Sequence, residues 1–173
     1  MAGRPSLRSG RWRLARIACR WKVEALPTAD KQSLVVILDT RHDLDGCRLV
    51  RAGEPDVWLI FHGVRHRIAS PRVFDALFRD AEGLIEDVDP YAVSEGVTLE
   101  DGSCLVTPDE GGGFYLVIRG EAGIVRRHLV VNWESWCDFR FDQDKLATIP
   151  RLVLEGLPRG RDLSSQNGRS FIV

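Results

Sequence analysis

At 173 residues the chain is long enough to bury a real core without disulfide or metal staples, and it fits a single domain. Its 44% hydrophobic and 28% charged residues exclude general disorder. The net charge of −1 hides an asymmetry: residues 1–23 carry seven of the 24 basic residues and no acid, leaving 17 against 25 acids in the remainder.

Gly3, Pro5, Ser6, Ser9 and Gly10 mark residues 1–10 as a tail. Ile17, Cys19, Trp21, Val23 and Ala25 then alternate with Arg16, Ala18, Arg20, Lys22 and Glu24, the pattern of a half-buried strand. Trp12 and Leu14 fall on the other parity, so the strand starts later or bulges near Ala15. A turn over 27–32 leads to Leu34–Leu38, making residues 11–40 an N-terminal strand pair. Next come a short strand, Cys47–Arg51, the turn Gly53-Glu54-Pro55-Asp56 and the strand Val57–Phe61. His62-Gly63 signals a tight turn into the return strand Arg65–Ile68. Ser70-Pro71 starts a helix, with serine as N-cap and proline where no donor is needed. Val73, Phe74, Leu77 and Phe78 share its apolar face, and Gly83 ends it. Leu84–Val88 reads as a strand before an Asp89-Pro90 turn.

Much of this is said twice. Gly46-Cys47-Arg48-Leu49-Val50 is echoed by Gly102-Ser103-Cys104-Leu105-Val106. Leu59 matches Leu116 and Gly63 matches Gly120; Arg65 then matches Arg126 after a four-residue insertion at 121–124. Asn132 caps the second helix, whose apolar residues are Trp133, Trp136 and Cys137. The repeats span 46–99 and 102–150; over 151–173 follow a strand at Leu152–Leu154, a polar tail and the apolar end Phe171-Ile172-Val173. The expectation is one α+β domain, mainly antiparallel, with two hairpin-helix repeats related by a pseudo-twofold axis.

The string Val57-Trp58-Leu59-Ile60 with Gly63, Arg65-His66, Ser70-Pro71 and Phe74 resembles a tandem hairpin-helix repeat of bacterial, often envelope-associated, proteins. The resemblance covers about 105 residues, from Gly46 to Pro150, with Asn132-Trp133 in place of Ser-Pro in the second copy. It implies a non-catalytic, surface-binding or spacer module.

Four cysteines, Cys19, Cys47, Cys104 and Cys137, form no CxxC pair and read as reduced thiols. No apolar run is long enough to span a bilayer, and the N-terminus lacks a continuous apolar leader, so the expected location is cytoplasmic. His62 and His66, four apart, flank a turn and do not share a helix face, so neither a metal nor a cofactor is expected. Ser70, His66 and Asp75 are hydrolase residue types, but no G-x-S-x-G elbow surrounds the serine. Gly111-Gly112-Gly113, after Asp109 and Glu110, precedes a strand where a phosphate loop needs a helix. Trp58, Trp133 and Trp136 fall on faces expected to be buried, leaving Trp12 the exposed tryptophan.

The candidate ligand-binding residues are two basic triplets: Arg65, His66 and Arg67, and Arg126, Arg127 and His128. Repeated on equivalent strands, they would form two cationic patches, with one side chain of each triplet facing opposite to the other two. The competing reading ties them to Glu82, Glu86, Asp87, Asp89, Asp138 and Asp142. The functional expectation is a non-catalytic bacterial binding or assembly module for a protein partner or an anionic or glycan ligand, with edge strands and the apolar C-terminus as routes to a homo-oligomer. The alternatives are a hydrolase using His62 or His66 with a carboxylate, and nucleic-acid binding by the basic arm.

Overall fold

A computed structural model describes residues 39–166. The expected N-terminal strand pair apart from its last two residues, the basic arm, Trp12 and the apolar end at 171–173 lie outside the described residues. Within them the fold is α+β, with eight strands in two mixed sheets and three short helices.

In the first sheet β1 (Arg48–Val50), β2 (Val57–Phe61) and β3 (Val64–Arg67) form an antiparallel meander, and β4 (Leu84–Ile85) lies parallel beside β1. The turn between β2 and β3 is two residues long: His62 and Gly63 take φ of 55° and 73°, as a type I′ hairpin requires. Helix α1 (Pro71–Leu77) starts as its sequence predicts, with Ser70 Oγ accepting the Val73 N–H. It ends at Leu77, not Gly83, because Phe78 goes extended and bridges Phe141 with its ring in the core. The strand expected over 84–88 is correspondingly only Leu84–Ile85.

The second sheet has the same strand order and the same pairing senses: β5 (Cys104–Pro108), β6 (Phe114–Arg119) and β7 (Val125–Val130) are antiparallel, with β8 (Ala147–Ile149) parallel beside β5. Asn132 caps α2 (Trp133–Asp138) by accepting the Ser135 N–H. The strand expected at 152–154 is instead helix α3 (Arg151–Gly156). Three consecutive apolar residues carry no period, and Asp109 takes up the first helical N–H, that of Arg151, at 3.2 Å. Two further segments cover the return strands: residues 94–99 run parallel to β3, and residues 158–163 parallel to β7.

Both sheets contribute to one core. Leu59 and Phe61 meet Leu105, Leu116 and Ile118, and α1 and α2 add Val73, Leu77 and Trp136. Outside, Leu49, Trp58 and Ile60 pack with Leu44 and Val93, while Val106 and Val117 pack under Leu154 of α3.

Cross-strand register corrects the echo. Leu105 stands opposite Leu116, whereas the residue opposite Leu59 is Arg48, so the match of Leu49 with Leu105 slips by one and changes faces. Arg48 therefore points into the core, 2% exposed. Its guanidinium donates to the backbone carbonyls of Asp80 and Glu82 and lies 4.9 Å from the Phe78 ring. Burial pushes its pKa down to about 10. The side chain pins the connection between α1 and β4.

Candidate functional site

Strand alternation divides each basic triplet between two faces. On β3, Arg65 is buried between Trp58 and Tyr91, its guanidinium 4.7 Å from each ring. It donates to the Pro90 carbonyl at 3.0 Å and to Glu95 at 3.1 Å. Arg67 is exposed and pairs with Asp56 at 3.0 Å. His66 points to the inner core, stacked on Phe61 at 3.5 Å, with Nδ1–H donating to the Val97 carbonyl at 2.9 Å. Burial holds its pKa down to about 4, so the ring is neutral. The carboxylates that meet this triplet are Glu95 and Asp56, from the covering segment and the β1–β2 turn, rather than those of 82–89.

On β7 the register sets Arg126 opposite Ile118 and Arg127 opposite Val117, whereas Arg65 stands opposite Ile60. With Leu59 aligned on Leu116, Arg65 corresponds to Arg127, not to Arg126. Two residues separate Phe61 from Val64 and seven separate Ile118 from Arg126, so the second turn is longer by five residues, not four. His128 is buried on the inner face, its Nδ1–H donating to the Arg161 carbonyl at 2.8 Å, and burial lowers its pKa. Arg126 shares that face at the exposed end of the strand.

Both buried histidines lie over a glycine. A Cβ at Gly96 would collide with the His66 ring, and one at Gly160 with the His128 ring. His62 joins this centre, its ring 5.2 Å from Phe61 and 6.3 Å from His128, with Nε2 3.0 Å from the Asp162 carbonyl. His62, His66 and His128 thus each bond a backbone carbonyl of a covering segment. Ser70 donates its hydroxyl proton to Asp101 at 2.7 Å while capping α1. These side chains serve to hold the covering segments and the helix start.

The second edge differs in charge. Arg127 forms a parallel bridge with Arg159, through Arg127 N–H to Pro158 O (3.0 Å) and Gly160 N–H to Arg127 O (2.8 Å). Bridge partners share a face, so Arg127 and Arg159 both belong to the outer face; Leu163, bridged to the inward Val130, is buried in the core, so one extra residue interrupts the alternation between 159 and 163. Arg159 pairs with Asp162 at 2.8 Å. Arg126, Arg127 and Arg161 form no ion pair among the described residues. Sequence reasoning missed Arg159 by reading it as part of the polar tail. The signal was there: Gly96-Val97-Thr98-Leu99 and Gly160-Arg161-Asp162-Leu163 share a G-x-x-L pattern, and each follows its histidine by about thirty residues.

Trp133 is 47% exposed, against the expectation of burial; it stacks on the buried Trp136, rings 9° from parallel, beside Phe114. Its place in the first turn of a six-residue helix points it past the core edge. The triglycine segment is a hairpin loop with all three glycines at positive φ, held by Arg151 through Glu110 and the Gly111 carbonyl. Burial raises the pKa of Cys47 and Cys104. Among the described residues there is no cluster of side chains suited to a metal ion and no helix long and apolar enough to cross a membrane.

No protein-family model matches the chain, and no curated protein or solved structure matches it significantly.

Proposed function

We propose that this protein is a non-catalytic binding or assembly module, two copies of one hairpin-helix unit about a pseudo-twofold axis, which takes an acidic protein or another anionic ligand, acidic glycans included, on the arginine-bearing edge of its second copy. The common strand order, the caps Ser70 and Asn132 and the two histidine-glycine contacts support the duplication. One observation carries the binding surface: Arg127 is bridged to Arg159, where the corresponding bridge of the first sheet joins Arg65 to Glu95. Like charges directly across a ladder destabilise it, and an anionic ligand offsets that cost while supplying the counter-charge.

The test is site-resolved. Titrating the full chain with a glutamate-rich peptide should shift the backbone amide resonances of residues 126–129 and 158–162, and the double variant Arg127→Gln, Arg159→Gln should lose those shifts. Peptide-induced shifts confined to other residues would overturn the reading. Arg65→Ala is the wrong probe, since Arg65 is packed between two rings and its loss would be read as instability.

A further inference from the structure

Beyond the ligand-binding reading, and independently of it, we infer that residues 158–162 form an acid-released strap: histidine rings fasten the segment to the body, and protonation at His128 detaches it while the core beneath stays folded.

The strap is anchored at both ends. Before it, Leu157 packs in the outer cluster with Leu154. After it, Leu163 is buried and bonds Leu129 and Val131 through its backbone, and Ser165 donates its hydroxyl proton to Asp138 at 2.6 Å. Between these anchors, the backbone bonds to β7 among the described residues are Arg127 N–H to the Pro158 carbonyl and Gly160 N–H to the Arg127 carbonyl. Where the alternation is interrupted, the carbonyls of Arg161 and Asp162 meet no backbone donor among the described residues, and imidazoles take both. His128 Nδ1–H reaches Arg161 at 2.8 Å, and His62 Nε2–H reaches Asp162 at 3.0 Å. The covering segment of the first sheet has the His66 bond to Val97 at the matching place, and its Thr98 carbonyl receives no imidazole.

The surroundings of His128 make the closed strap a poor host for a charged ring. The imidazole is buried and lies against Gly160, so a proton there is cut off from water. Four charged or titratable groups face it. Arg126 stands on its own strand, His62 on the β2–β3 turn with its ring 6.3 Å away, and His66 beyond the Phe61 ring that both histidines contact. Each of these, when charged, repels an imidazolium. Asp162, on the strap itself, attracts one, but Arg159 already holds both its oxygens, at 2.8 and 3.1 Å. Leu116, opposite on β6, offers no charge. Burial first, then His62 and Arg126, therefore lower the pKa of His128. Opening admits water and returns the ring to its ordinary value of about 6.5. The open strap then binds a proton that the closed one does not, so closure is complete above that pH and weakens as pH falls. Release also takes Arg159 away from Arg127 and dissolves their bridge.

Amide hydrogen exchange of the full-length protein, expressed as protection factors from pH 7.5 to 5, tests this. The reporters are the Gly160 and Arg127 amides, which bond across the strap. Their protection should fall below pH 6.5 by up to about tenfold per pH unit, the slope for one proton taken up on opening. At every pH it should stay well below that of the β6 amides, the mark of a local opening. His128→Gln keeps a donor for the Arg161 carbonyl but takes no proton, and should remove the slope. Protection of Gly160 and Arg127 that does not change with pH overturns the inference in the wild-type protein alone. So does protection equal to that of β6, which would mean that the strap opens only when the whole fold does. A slope retained in His128→Gln overturns it as well. No ligand takes part, so failure here leaves the anionic-edge reading standing.

Discussion

A neutral imidazole enclosed in a core makes the fold sensitive to acid. His66 has a folded pKa near 4, against about 6.5 for an exposed ring, because desolvation disfavours its charged form. Above pH 6.5 it is neutral folded or unfolded, and its contribution to stability is fully present. Between pH 6.5 and 4 the unfolded chain gains a proton that the folded one does not, so stability falls with pH by about 3 kcal/mol from this residue. His128 is shifted in the same direction, with Arg126 and His62 adding to the lowering and Asp162 opposing it. Denaturant unfolding measured from pH 7.5 to 4 should show this decline, and His66→Gln should flatten it. A wild-type stability independent of pH over that window would mean that the ring is open to water.

At the level of elements, the segments at 94–99 and 158–163 are held by the fit of a histidine over a glycine. Gly96→Ala and Gly160→Ala should each cost more than about 2 kcal/mol, since the added methyl meets a ring that has nowhere to move. Adding His66→Ala to Gly96→Ala should recover part of that loss, a non-additivity measurable in a double-mutant cycle. Simple additivity would place the two residues out of contact. The local signals that were legible in the sequence are those with a short-range cause: Ser70-Pro71 and Asn132 as caps, and His62-Gly63 as a two-residue turn. The covering segments were not legible, because each pairs in parallel with a strand some thirty residues earlier and is too short to show alternation. The slip at β1 has a similar cause. The shared glycines Gly46 and Gly102 suggested the alignment, while Cys47 and Cys104, which precede Arg48 and Leu105, mark the register that the sheets adopt. For the candidate site, the basic triplets were visible as residue types, but which arginines face outward depended on those unseen segments.

At the scale of the whole molecule, the inner faces of both sheets meet in one core, with α1 of the first half packed on β5 of the second. Neither half can lose its partner without exposing large apolar side chains. The described region should therefore unfold as one cooperative unit, and Leu116→Ala, fully buried in the second sheet, should cost about 2–5 kcal/mol. Amide exchange should accelerate in β2 and β6 by the same factor, whereas exchange accelerated in β6 alone would show the sheets to be independent.

The shared core also sets a schedule for biosynthesis. Leu59 and Phe61 leave the ribosome before the residues that cover them, Leu116 and Ile118, have been made. With translation at about 5–20 residues per second, the intervening stretch takes on the order of several seconds. During that interval the nascent first sheet presents an apolar face with no partner, a natural point of engagement for a chaperone. The outermost segment of the second sheet, residues 158–163, is added after everything it covers. The arginine edge is thus completed last, once the body that carries it has closed.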